Sequence, residues 1–138
     1  FDIGLKDMTA DELAYCQDAV ANWKRLQPAI MDGDQYRLVS PYETNHMAVN
    51  YVSKDQKKAV LFAYDVYPRF QEKLINVKLQ GLDPNKTYKV EEINLMPGVD
   101  SALKSNGQTY TGDYLMKVGI EVFGFAATQS HVLELTAM

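Results

Sequence analysis

The side chains able to ligate a metal or move a proton are few: His46, His131, Cys16 and a scatter of carboxylates. Metal ligands must converge, and on a regular element they commonly stand two to four positions apart. Neither histidine has such a neighbour, and Asp32-Gly33-Asp34 lacks the further positions of a calcium loop. No metal site and no cofactor site is therefore expected. Cys16 falls on the apolar stripe of a predicted helix, where a thiol is a small buried hydrophobe rather than a nucleophile. There is no G-x-S-x-G elbow and no Gly-rich phosphate loop. Glu91 and Glu92 are adjacent in a predicted strand, whose period of two sends them to opposite faces. They cannot flank one bond at the roughly 5–9 Å that a two-carboxylate hydrolase needs, unless a bulge reorients one of them. No residue of this chain is assigned a catalytic role.

Aromatic side chains are the remaining candidates for binding. Tyrosine dominates, with nine copies against one tryptophan. Tyr42, Tyr64, Tyr67, Phe70, Tyr110 and Tyr114 are candidates for a platform on which sugar rings would stack, with Tyr64, Tyr67 and Phe70 as the candidate contact residues. The competing assignment is packing, since tyrosine buries its ring and keeps its hydroxyl wet. A net charge of −4 with scattered lysines gives no footprint for nucleic acid. No run approaches the about 18 apolar residues of a membrane span. The single cysteine excludes an internal disulfide and leaves the compartment open between cytoplasm and periplasm.

The elements that must position these side chains begin with a helix. Thr9 and Glu12 have capping-box spacing, with Met8 and Leu13 placed as a hydrophobic staple. Leu13, Cys16, Val20, Trp23 and Leu26 recur at helical spacing, and Pro28 is expected to end the pattern. After Asp32-Gly33-Asp34 the period changes. Tyr36–Val39, Met47–Val52, the almost wholly apolar Ala59–Tyr64, and Ile75–Gln80 read as strands. Lys54–Lys57 and Asp83-Pro84-Asn85 read as turns. Tyr88 and Val90 give way to Ile93 and Leu95 on the opposite parity, which suggests a β-bulge at Glu91-Glu92. A loop over 97–108, a helical turn over 112–118 and a last strand at Val132–Leu135 complete the chain. The expected fold is mainly β: an antiparallel, Greek-key-like β-sandwich preceded by one amphipathic α-helix.

Several of these stretches, in order, resemble one known family. The helix with Asn22-Trp23-Lys24-Arg25-Leu26-Gln27-Pro28 is followed by Gly33-Asp34-Gln35-Tyr36-Arg37-Leu38 and Ser40-Pro41. Ala59–Tyr64, then Leu79-Gln80-Gly81-Leu82-Asp83-Pro84 with Tyr88 and Val90, then Thr111-Gly112-Asp113-Tyr114-Leu115-Met116 with Gly119 complete the set. Together they resemble the C-terminal part of family 36 glycoside hydrolases, the bacterial α-galactosidase group. Trp23 and Thr111 depart from that family's usual Tyr and Ser, and the 97–108 loop looks longer than typical.

The resemblance implies a parent enzyme with an upstream (β/α)₈ barrel that hydrolyses terminal α-galactosides of the melibiose or raffinose type with retention. Its two catalytic aspartates would lie in that barrel, so none carries over onto this chain. The chain begins at Phe1 and is read as a piece of a longer polypeptide. Residues 1–31 would be the remnant of the last barrel helix and residues 32–138 a C-terminal β-sandwich. Its partners would be the barrel of the same polypeptide and a second copy in a homo-oligomer. The alternative function is a stand-alone carbohydrate-binding or oligomerisation module.

Overall fold

A computed structural model describes residues 4–69, 74–124 and 129–138. Phe70 lies outside the described residues. Helix α1 spans Ala10–Met31. Its start is the expected capping box: the Thr9 hydroxyl accepts from the Glu12 amide at 3.3 Å, and the Glu12 carboxylate accepts from the Thr9 amide at 2.8 Å. Its end is not where Pro28 suggested, because the helix runs on one more turn with Pro28 inside it. A proline in a helix forfeits one hydrogen bond and crowds the preceding turn. That loss is outweighed by burial. Ala29 and Leu26 are the buried residues of α1, and the Asp32 amide closes the last turn on the Pro28 carbonyl at 3.1 Å.

Strands β1 (Asp34–Val39), β2 (His46–Val52), β3 (Lys58–Asp65), β4 (Thr87–Glu92), β5 (Thr109–Thr111) and β6 (Gln129–Ala137) form one antiparallel sheet. Their order is β1-β2-β3-β6-β4-β5. The last strand thus returns to lie between β3 and β4, and the buried β3 occupies the middle of the sheet as its apolar run implies. A tight turn joins β2 to β3, with Gln56 at φ 54° and the Ser53 amide bonded to the Lys58 carbonyl at 2.9 Å.

The inner face of the sheet carries Ala48, Val52, Leu61, Ala63, Tyr88, Val90, Leu133 and Leu135. Val77, Leu79, Leu82, Leu115, Ile120 and Val122 close over them as the second layer of the sandwich. Leu115 belongs to a short helix, α2 (Gly112–Lys117), capped by the Thr111 hydroxyl. The rest of this layer lies outside any helix or named strand. The expected strand over Ile75–Gln80 makes only an isolated bridge, Val77 to Ile120, although Val77 and Leu79 are buried and their polar neighbours exposed. Alternation reported burial correctly there but not a ladder partner.

Helix α1 lies on the outer face, against β1, β2 and β3. This explains a third departure from expectation. The register of β4 on β6 steps evenly from Tyr88–Ala137 to Glu92–Leu133, with no bulge at Glu91-Glu92. Ile93 is apolar on the other parity because it lines a cavity under α1 with Trp23 and Leu26. The irregular register that is present lies in β1, between Arg37 and Val39.

Candidate functional site

Inner-face parity brings two histidine–carboxylate pairs to one end of the sheet. Register sets His46 opposite Asp65, and the next ladder sets His131 opposite Ala63. His46 Nδ1 lies 2.7 Å from Asp65 Oδ1, and both side chains are buried. The second Asp65 oxygen accepts from the Gly124 amide at 2.9 Å, and the His46 ring stacks on Phe123 with centroids 4.5 Å apart. His131 Nδ1 lies 2.5 Å from Glu92 Oε1. The other Glu92 oxygen accepts from the Ser101 hydroxyl. Glu91 points outward to Lys89, so the two glutamates do face opposite ways.

Ser101, Glu92 and His131 are not arranged as a nucleophile beside its base. A serine becomes a nucleophile when an imidazole stands beside it to take its proton. Here the carboxylate stands between Ser101 and His131, and the hydroxyl donates to an acceptor that holds it in place. The pairs instead satisfy buried polar atoms at the end of an apolar core, where an unpartnered ion would be costly. Among the described residues no three His, Cys, Asp or Glu side chains converge as a metal site. Asp34 pairs with Lys54 at the surface, and Asp32 caps α1. The parity of His131 with Leu133 and Leu135 was a readable sign that this histidine turns inward. Its partner, 39 positions away, was not.

A second polar cluster ties α1 to the sheet. Glu134 on β6 receives Arg25 of α1 and, at 3.0 Å, Lys58 of β3. Asn22 also donates to the Ile93 carbonyl at 3.2 Å. Burial alone would push the Glu134 carboxyl up, but the hydrogen bonds and charges of Arg25 and Lys58 hold it below its ordinary value.

The remaining residues of the predicted stripe separate. Leu26 and Trp23 line a cavity of about 210 Å³ between α1 and the sheet, with Trp23 still 42% exposed. Leu13, Cys16 and Val20 line instead a groove of about 550 Å³ on the other side of α1, together with Leu5 and Ala21. Cys16 is therefore half-buried at a groove, not sealed in a core as expected. Tyr64 shares the outer-face parity of Phe62 and is 36% exposed, while Tyr67 is 70% exposed beyond the end of β3. Neither lines the cavities under α1 or beside it. Tyr110 and Tyr114 do come together, stacked with centroids 5.3 Å apart, at a polar cleft of about 220 Å³ between α2 and the 97–108 loop.

An antiparallel sheet with a thin second layer on its inner face and one helix on the other defines a small β domain. Residues 46–135 match the family described as the glycosyl hydrolase family 36 C-terminal domain, and the chain belongs to that family. It is 30% identical over 114 residues to a probable alpha-galactosidase G of Aspergillus terreus, covering 83% of this chain and 14% of that protein. It is 28% identical over 120 residues to alpha-galactosidase AgaA of Geobacillus stearothermophilus, covering 87% of this chain and 14% of that protein. The crystal structure of GH36 alpha-galactosidase AgaB from Geobacillus stearothermophilus superposes with a TM-score of 0.78 at 27% identity, covering 97% of this chain and 17% of that one. The chain thus spans about a seventh of the length of these relatives. Fungal enzymes stand beside bacterial ones, so the likeness is wider than the bacterial group alone.

Proposed function

We propose that this chain is the non-catalytic C-terminal support domain of an alpha-galactosidase that hydrolyses terminal alpha-galactosides with retention, the melibiose or raffinose type among them. In this reading residues 1–31 carry the last helix of an upstream catalytic barrel, and residues 32–138 form the β domain packed after it. The observation that carries the reading is the two-sided helix. Its C-terminal half is bound to the sheet through Leu26, Ala29 and the Arg25–Glu134 pair, while Leu5, Leu13, Cys16, Val20 and Ala21 leave an apolar groove open on its other side. An apolar stripe of that length is what a helix presents to a neighbouring layer. Active sites of (β/α)₈ barrels lie at the C-terminal ends of the strands, so an outer helix supports them without touching substrate.

The buried carboxylates favour the same reading. Asp65, Glu92 and Glu134 each serve a structural pair and not a bond-breaking couple. The test has two arms. The 138-residue chain should release no nitrophenol from a chromogenic alpha-galactoside above the buffer rate. The same segment, exchanged for the matching C-terminal part of the Geobacillus AgaB enzyme, should give a soluble and active chimera. Turnover by the chain alone, or an inactive chimera with a folded barrel, would overturn the proposal.

A further inference from the structure

The cleft beside α2 is not needed by a support domain. Its walls are Tyr110 and Tyr114, stacked at an interplanar angle of 14°, with Asn76, Lys104, Ser105 and Glu121 around them. Each wall is held firmly. Tyr110 lies on β5 opposite Tyr88, and the Tyr114 amide is capped by the Thr111 hydroxyl at 3.2 Å. Gly119, at φ 79°, presses onto the Val77 carbonyl, where a Cβ would sit 2.4 Å away. The loop that brings Lys104 and Ser105 is pinned to β4 by the Gly107 amide on the Val90 carbonyl at 2.8 Å and by the Val90 amide on the Gln108 carbonyl at 2.9 Å.

Ser105 is the telling residue. It is 4% exposed, lines the cleft, and its hydroxyl finds no hydrogen-bond partner among the described residues. A buried hydroxyl without a partner is a cost to the fold. An alanine at this position would avoid it. A ligand held in the cleft would supply the partner that the Ser105 hydroxyl lacks.

The lining also specifies the ligand's chemistry. Lys104 and Glu121 pair at 3.4 Å and cancel, so the cleft has no net charge to offer an ion. What remains is an aromatic wall with the Ser105 hydroxyl and the Asn76 amide beside it. That combination fits a neutral polyhydroxylated ring with one apolar face, which stacks on tyrosine and hydrogen-bonds at its edge. We infer that the cleft between α2 and the 97–108 loop is an ancillary carbohydrate-binding site, with Tyr110 and Tyr114 as its wall and Ser105 and Asn76 as hydrogen-bonding partners. This goes beyond the support role and assigns the loop a purpose.

The test is a titration of the ¹⁵N-labelled 138-residue chain, carrying Leu13→Asp and Val20→Asp so that the groove on α1 does not drive association, with methyl α-galactoside and with raffinose, followed by amide shifts. Saturable shifts are expected at Asn76, Ser105, Tyr110 and Tyr114. Ser105→Ala should weaken binding by about tenfold, the worth of one hydrogen bond, while melting at the same or a higher temperature. The exposed Asn76→Ala serves as a second variant that does not threaten the fold, and should weaken binding similarly. No saturable shift with either sugar, shifts confined to other surfaces, or variants that bind like the parent would overturn the inference. So would a Ser105→Ala variant that melts lower, which would give the hydroxyl a structural role. None of these results bears on the turnover and chimera arms, so the two readings fail separately.

Discussion

At the scale of single residues, the core is specified by hydroxyls and backbone contacts as much as by apolar area. Tyr88 is fully buried, yet its hydroxyl donates to the Gln56 carbonyl at 2.7 Å and accepts from the Asp83 amide at 3.0 Å. One phenol thus ties the β2–β3 turn to the Asp83-Pro84-Asn85 turn. Burial raises its pKa, so the neutral donor persists well into the alkaline range. Tyr88→Phe keeps the ring and strips both backbone groups of their partner. We expect a loss of about 1–3 kcal/mol, read as a lowered urea midpoint with an unchanged slope. The parity of Tyr88 with Val90 marks its ring as inward from sequence alone. Nothing in the sequence marks where its hydroxyl goes, because both acceptor and donor come from turns whose approach depends on the whole sheet. The same holds for the two histidines: parity with apolar neighbours sends them inward, but register between distant strands decides that they meet Asp65 and Glu92.

At the scale of elements, α1 shows what local pattern conveys and what it hides. Its start was legible in full, because Thr9 and Glu12 complete the capping box within four residues of chain. Its end and its contact face were not, since both depend on the sheet. Burial of Ala29 carries the helix past Pro28, and the single predicted stripe divides into a half that meets the sheet and a half that does not. The β4 parity change was misleading for the same reason: Ile93 answers to α1 and not to a bulge. The seam between helix and sheet has a pH dependence with a definite sign. Glu134 has its folded pKa held below the ordinary 4.5 by Arg25 and Lys58. A carboxylate depressed in the folded state binds its proton more readily when unfolded, so its contribution is present above the unfolded pKa and disappears as pH falls through the folded one. Glu134→Gln should therefore cost about 1–2 kcal/mol at pH 7, less than a fully buried pair because Arg25 is half exposed. The difference between parent and variant should close as pH falls from the ordinary 4.5 through the lower folded value, followed by thermal melts across the acid range. A gap that persists at acid pH would mean that the glutamine fails for reasons of packing.

At the scale of the whole molecule, the open groove on α1 makes opposite predictions for the chain alone and for the chain in its proposed setting. Leu5, Leu13, Cys16, Val20 and Ala21 form about 550 Å³ of largely apolar concavity beside the exposed Lys24. Exposed apolar patches on a free domain drive association, since burying each Å² of apolar surface is worth roughly 25 cal/mol. The 138-residue chain should therefore self-associate at micromolar concentration and bind a hydrophobic dye. Replacing Leu13 and Val20 by Asp removes the driving force and touches no residue that meets the sheet. The double variant should sediment as a monomer, lose dye binding, and melt within a few degrees of the parent, because substitutions away from packed contacts cost about 0.5 kcal/mol or less each. Inside the Geobacillus AgaB chimera the same two charges would face the barrel. There they bury unpaired carboxylates, and soluble yield and activity should fall together. A domain that merely oligomerises through this groove would respond in the first setting and not in the second. A variant that stays associated on its own would show that the contact lies on another surface, and the helix would lose its claim to be the face where catalysis and support are joined.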